Sequence, residues 1–195
     1  MTGQPSARDD AALVAAALNG ERHAFTDLMR RHKEPIYRFI RRYVGDADEA
    51  YDLLQETFVA AWSALATFNA AKPMRAWLRR IALNKCRDWS RRRKVRQFFF
   101  AAKPIDTAAN MTAPPLDVEL QTSERKLDAL DHQIALLPAN LKEPFILTQL
   151  EGLSHKDAAR TLNLSSKAIE MRIYRARALL AAALRLVSED DEGSS

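Results

Sequence analysis

Residues 152–177 read GLSHKDAARTLNLSSKAIEMRIYRAR, and the order of caps, breaks and small residues within them decides the architecture. Ser154 followed three positions later by Asp157 is the signature of a helix start. Ala158, Ala159 and Leu162 then share one face, on a helix too short to be stable alone. Asn163-Leu164-Ser165 interrupts it, and either Ser165 or Ser166 can cap a second helix. That helix turns Ile169, Ile173, Ala176 and Leu180 inward and carries Glu170, Met171, Arg172, Tyr174, Arg175 and Arg177 around the rest. Two short helices, a tight turn, alanines at the crossing and a polar second helix make a helix-turn-helix. A plain helical hairpin would satisfy the apolar pattern equally well. Three arginines beside Tyr174 favour a helix that reads DNA.

The rest of the chain agrees with a helical protein. It has 195 residues, 47% of them hydrophobic and 28% charged, with only 5 glycines. This is globular composition with a helical bias. One cysteine, Cys86, excludes a disulfide framework and a thiolate metal site, and fits a reducing compartment. No apolar run approaches the ~20 residues that span a bilayer, and the first residues lack the basic-then-apolar order of a signal peptide. A soluble, cytoplasmic chain without membrane insertion is expected.

The net charge of +5 is unevenly spread. Residues 72–96 hold eleven Lys/Arg against one acid, Asp88, a net of +10. Residues 46–56 hold five acids and no base. Blocks of opposite sign suggest separate partners, the basic one suited to polyphosphate.

Two helical domains and a flexible linker are expected. Residues 1–8 read as a disordered N-terminus. Over 9–97, Asp9 can cap a first helix ending at Leu18, closed by Asn19-Gly20. Phe25, Leu28, Met29, Ile36, Phe39, Ile40 and Tyr43 form the stripe of a second, which Pro35 should kink or divide. Asp46-Ala-Asp-Glu49 opens a third with Leu54, Phe58, Ala61, Trp62 and Leu65 facing the core. A fourth starts near Met74 and buries Trp77, Leu78, Ile81, Ala82 and Trp89. Prolines at 104, 114 and 115 mark 98–122 as a linker, although Phe98-Phe99-Phe100 should pack on something. The helical unit 123–187 follows, with Pro138 and Pro144 each near a helix start, and 188–195 reads as a disordered acidic tail.

Several of these segments resemble a known family. Leu137-Pro138, Leu150-Glu-Gly-Leu-Ser154, Asp157-Ala-Ala159 and Arg172-Ile-Tyr-Arg-Ala-Arg177 are similar to region 4 of extracytoplasmic-function (group IV) RNA polymerase sigma factors, within the sigma-70 family. Asp52-Leu-Leu-Gln-Glu56-Thr-Phe58, Trp62, Arg75-Ala-Trp-Leu78 and Ile81-Ala-Leu-Asn84 resemble region 2. Both regions occur in order with a linker between them.

The resemblance implies roles for surfaces that the residues already single out. Asp48, Asp52 and Glu56 fall at i, i+4 and i+8 with Gln55 beside them, a repulsive stack better explained by a basic partner. The resemblance names it as the β′ clamp helices of core RNA polymerase, with the β subunit part of the same partner. Tyr51 stands where many relatives carry an acid. Phe68 and Asn84 match a pocket for a base flipped from the −10 element, where an aromatic stacks and an amide reads an edge. Arg79, Arg80, Lys85, Arg87, Arg91, Arg92 and Arg93 can follow phosphates. Trp77 and Trp89 are read as core rather than as stacking platforms. The −35 positions fall on Ser165, Lys167, Glu170, Met171, Tyr174 and Arg175. Lys167-Ala-Ile169 replaces the usual Gly-Thr-Val entry, and Glu170 can accept from cytosine N4.

The expected function is a sigma factor that directs core polymerase to promoters in response to stress or an envelope signal, held by an anti-sigma factor. No cofactor is expected. A stand-alone helix-turn-helix regulator is the alternative. A nucleic-acid enzyme is disfavoured, because no metal-spaced His/Cys set, phosphate loop or nucleophile-base pair is present. His32 and His155 read as core or surface histidines.

Overall fold

The computed structural model describes residues 7–101 and 130–192, and every regular element among them is helical. The first unit comprises α1 (Ala7–Leu18), α2 (Arg22–Val44), α3 (Ala47–Ala64), a 3-10 turn (Leu65–Thr67) and α4 (Met74–Ala101). The second comprises α5 (residues 130–136), α6 (Ala139–Phe145), a π-helical turn (Ile146–Leu150), α7 (His155–Leu162) and α8 (Ser166–Glu192).

The caps explain the boundaries. Gly45 ends α2 in the left-handed region at φ 81° and donates its N–H to Arg41 O. Asp46 then accepts from the Glu49 N–H at 2.9 Å and opens α3, satisfying a donor that the first turn would leave bare. Leu28, Ile36, Phe39 and Ile40 of α2 pack against Leu53, Phe58 and Ala61 of α3 and Leu78, Leu83, Cys86 and Trp89 of α4. The buried Asp10 fastens α1 to α2, accepting from Arg31 at 2.9 Å and lying 3.0 Å from His32 Nε2.

Several expectations change. Asp9 lies inside α1, which starts at Ala7. Pro35 removes one backbone donor, yet α2 runs through it as one helix, because Ile36, Phe39 and Ile40 just beyond it are buried. Trp62 is 46% exposed and meets Phe25 edge-on at 4.9 Å, since Leu54, Phe58 and Ala61 of α3, with Leu65 just beyond it, already fill the inward arc. Pro138 does flank a helix start, but Pro144 sits late in α6, and the π-helical turn begins two residues after it. α4 continues past 97 to Ala101, and α8 carries 188–192 as helix, so this part of the acidic tail extends α8. The 1–6, 102–122 and 193–195 portions of the proposed terminus, linker and tail lie outside the described residues, as do the side chains of Phe98–Phe100.

The helix-turn-helix follows its sequence signature. Ser154 Oγ accepts from the Asp157 N–H at 3.1 Å and donates to the Asp157 carboxylate at 2.6 Å. The Ser154 and Arg160 contacts hold the Asp157 carboxyl below its ordinary range. Asn163 closes α7 in the left-handed conformation, and Ser165 caps α8 by accepting from Ala168 N–H at 3.1 Å.

Candidate nucleic-acid interface

On α3, Asp48, Asp52 and Gln55 are exposed as a row, whereas Glu56 is half-buried and already engaged. Lys85 Nζ lies 3.2 Å and Arg92 Nη2 3.8 Å from its carboxylate. Asp52, Gln55, Glu56, Val59, Ala60 and Lys85 line one open depression of about 520 Å³. The end of the acidic row is therefore also the counter-charge for two cations of α4.

On α4, Asn84, Arg80, Arg91 and Arg93 face solvent. Phe68 sits just before the loop into α4 and packs its edge on Trp77 at 5.3 Å. Trp89 is buried, as expected, and donates Nε1–H to Glu49 at 2.7 Å, tying α4 to the start of α3. Arg93 lies over its ring at 5.2 Å. Burial pushes the Cys86 thiol up, so it stays protonated and serves as core.

On α8, Ile169, Ile173, Ala176 and Leu180 are buried, while Lys167, Glu170, Met171, Tyr174 and Arg175 are all exposed. Tyr174 is 71% exposed, so its ring stands clear of the core. Ser165 precedes them at the entry, its hydroxyl used for capping. Among the remaining candidates, Arg80, Asn84, Arg91, Arg92 and Arg93 face solvent on α4 and the row from Lys167 to Arg175 faces solvent on α8, whereas Phe68 and Lys85 are half-buried. Arg79 and Arg87 are turned elsewhere.

Both of these arginines bind acids of the second unit. Arg79 and Arg75 donate to Glu151 Oε2 at 3.2 and 2.9 Å, where the Glu151 side chain is 4% exposed. Burial lowers the Arg79 guanidinium from its usual range, and Glu151 partly restores it. Arg87 grips Glu143 with two bonds, at 2.8 and 2.5 Å, which raises the Arg87 guanidinium further. Tyr43 OH donates to the same carboxylate at 3.3 Å, and burial pushes its phenol up. The buried Lys142 donates to the carbonyls of Tyr43, at 2.9 Å, and Ala135, and lies 4.8 Å from the Tyr43 ring centre. Its burial lowers the ammonium to about 8. Nothing in the charge pattern or the helical periods points to this seam. The one available signal is Lys142-Glu143 standing inside the apolar run from Leu141 to Leu147.

An acidic and basic helical bundle followed by a helix-turn-helix defines an all-helical, two-unit DNA-binding protein. Residues 28–96 match the family described as Sigma-70 region 2, and residues 127–180 match Sigma-70, region 4. The chain is 38% identical to RNA polymerase sigma factor NccH of Alcaligenes xylosoxydans xylosoxydans over 179 residues, 90% of this chain and 95% of the relative. It is 39% identical to sigma factor CnrH of Cupriavidus metallidurans over 184 residues, covering 92% and 96% of the two chains. Among solved structures it resembles CnrH in complex with the cytosolic domain of CnrY, with a TM-score of 0.63, 34% identity, and 91% and 98% coverage. It also resembles the Bartonella quintana sigma factor RpoE in complex with the anti-sigma factor NepR, with a TM-score of 0.62, 25% identity, and 83% and 96% coverage. The chain belongs to the extracytoplasmic-function branch of the sigma-70 family. It is an alternative sigma factor, acting in promoter-directed transcription by RNA polymerase.

Proposed function

We propose that three faces of this sigma factor divide the work of initiation. Asp48, Asp52, Gln55 and Glu56 on α3 dock on the β′ clamp helices of core polymerase. Phe68 and Asn84 hold and read a base flipped from the −10 element, while Arg79, Arg80, Lys85, Arg87, Arg91, Arg92 and Arg93 follow the strand. Ser165, Lys167, Glu170, Met171, Tyr174 and Arg175 lie against the −35 element, where Arg175 and Lys167 suit phosphate or guanine and Glu170 suits cytosine.

The observation that carries this reading is the solvent-facing row from Lys167 to Arg175 on a helix whose opposite face is buried, in a chain that also bears the acidic and basic helices. The chain supplies no catalysis of its own and works in the cytoplasm; no described helix is long and apolar enough to cross a membrane. An anti-sigma factor restrains it until a stress or envelope signal arrives, a role supported by the complex of the similar RpoE with NepR.

Transcription in vitro by core polymerase, with and without the chain, tests the reading. Defined transcripts should appear only with it. Asn84→Ala should then cost about 1–3 kcal/mol of discrimination between −10 variants, the value of one base-specific contact. An equal loss on every −10 variant would assign Asn84 to folding instead.

A further inference from the structure

Three consecutive exposed arginines stand in the basic block of α4, and the structure gives each a different neighbour. Arg91 pairs with Asp88 one turn back, and Arg92 Nη2 lies 3.8 Å from Glu56. Arg93 lies over the Trp89 ring, 5.2 Å from its centre, and among the described residues no acid pairs with it. An aromatic face holds a guanidinium without consuming its N–H donors, whereas a carboxylate consumes them. A phosphate must displace an acid from Arg91 or Arg92, but it meets Arg93 with the donors open.

The Trp89 ring is itself fixed. It is 5% exposed, and its Nε1–H donates to Glu49 at 2.7 Å, from α4 across to α3. Glu49 is the third residue of α3, where its own N–H is held by the Asp46 cap at 2.9 Å. An acid at that place commonly folds back on the amide of the cap residue. This one reaches an indole 40 residues along the chain instead. Trp89 and Arg93 are one turn apart on α4, the separation that sets side chains over one another. Cap, acid, indole and guanidinium form one chain of contacts that ends in solvent.

We infer that Arg93 is the pre-organised phosphate contact of α4, and that Glu49 and Trp89 are its positioning residues: the carboxylate orients the indole, and the indole face orients the guanidinium. The inference rests on the proposed path of the −10 strand along α4. Holding a long side chain in place before the strand arrives removes an ordering cost otherwise met on binding. Glu49 and Trp89 act through Arg93 and do not themselves touch the strand.

Full-length variants titrated with a fluorescent oligothymidylate test this, since that probe offers phosphates without a promoter sequence; circular dichroism verifies that each variant folds. At 0.1 M salt Arg93→Gln should bind about fivefold more weakly and flatten the salt dependence by about 0.7, the value of one single-strand phosphate contact. Arg91→Gln and Arg92→Gln should each lose less, because a surface ion pair given up on binding offsets up to about fivefold. Trp89→Phe keeps a ring and the net charge but not the Nε1–H. It should weaken binding about two- to threefold, the low end of the cost of ordering one side chain. Glu49→Leu should bind more weakly than Glu49→Gln by the same factor. Those two variants carry equal charge, and only the glutamine still accepts from the indole. In an Arg93→Gln background both differences should vanish, which a merely structural role of Glu49 or Trp89 would not produce. Equal losses in the three arginine variants, or differences that persist without Arg93, would overturn the inference. No polymerase is present, so a chain that supports no transcription refutes the proposed function and leaves this ranking of the arginines standing.

Discussion

Asp52 and Glu56 share the acidic row of α3 but should respond oppositely to neutralisation. Glu56 lies 3.2 Å from Lys85 and 3.8 Å from Arg92, so its gross attraction in water is about 1.3 and 1.1 kcal/mol for the two pairs. Side-chain entropy and salt offset most of that, leaving about 1 kcal/mol for Glu56→Gln at these half-exposed positions. Asp52→Asn, at an exposed position one turn earlier, should change stability by less than about 0.5 kcal/mol. Binding to core polymerase should show the reverse order. Asp52 offers a free charge to a basic surface, and losing a close interfacial pair costs about 1.5 kcal/mol or more, at least tenfold in Kd. Glu56→Gln should cost less, because its charge is already shared with α4. Urea denaturation and fluorescence anisotropy with core polymerase, both near 0.1 M salt, give the two scales. Full polymerase affinity in Asp52→Asn would refute the argument, as would equal stability losses in the two variants.

Ser154→Ala removes the cap of α7 and should lower stability by about 1 kcal/mol, read as a fall in the urea midpoint with an unchanged slope. Trp89→Phe deletes the Nε1–H bond to Glu49 while keeping most of the buried ring, at a cost of about 1.5–3 kcal/mol for a bond to a charged acceptor in the same denaturation assay. Burial lowers the His32 imidazole below its ordinary 6.5, so below that pH the unfolded chain takes up a proton that the folded chain refuses. Stability should therefore fall as pH drops from 6.5 toward the lowered folded value, and His32→Gln should flatten that part of the pH profile measured by thermal melting.

Local chemistry makes much of this protein legible in its sequence. Asp46 with Glu49 and Ser154 with Asp157 are short-range signals, and both caps form where their spacing places them. The inward faces of α3 and α8 follow the helical period because burial of Leu54, Phe58, Ile169 and Ile173 is a property of one helix and its neighbour. Pro35 and Trp62 depart from their local signals for a related reason. A local rule sets what a residue costs or prefers, whereas the packing around it sets whether that cost is met or the preference is filled.

The seam between the units belongs to tertiary structure alone. Nothing near position 79 or 87 in the chain announces Glu151 or Glu143, which lie 72 and 56 residues away. Charge counting offers every arginine of 72–96 to DNA, since a sum over sequence treats each cation as free. Folding decides which cations already have a carboxylate. An arginine's partner is set by distances of a few ångströms, and only the packing of α2 and α4 against α5, α6 and the π-helical turn supplies them. Two helical units, their caps and the face each shows are written in short-range sequence, because caps and helical periods act over a few residues. Which of the charges remain available for a partner is decided in three dimensions, because Coulomb attraction depends on separation in space and on exclusion of water.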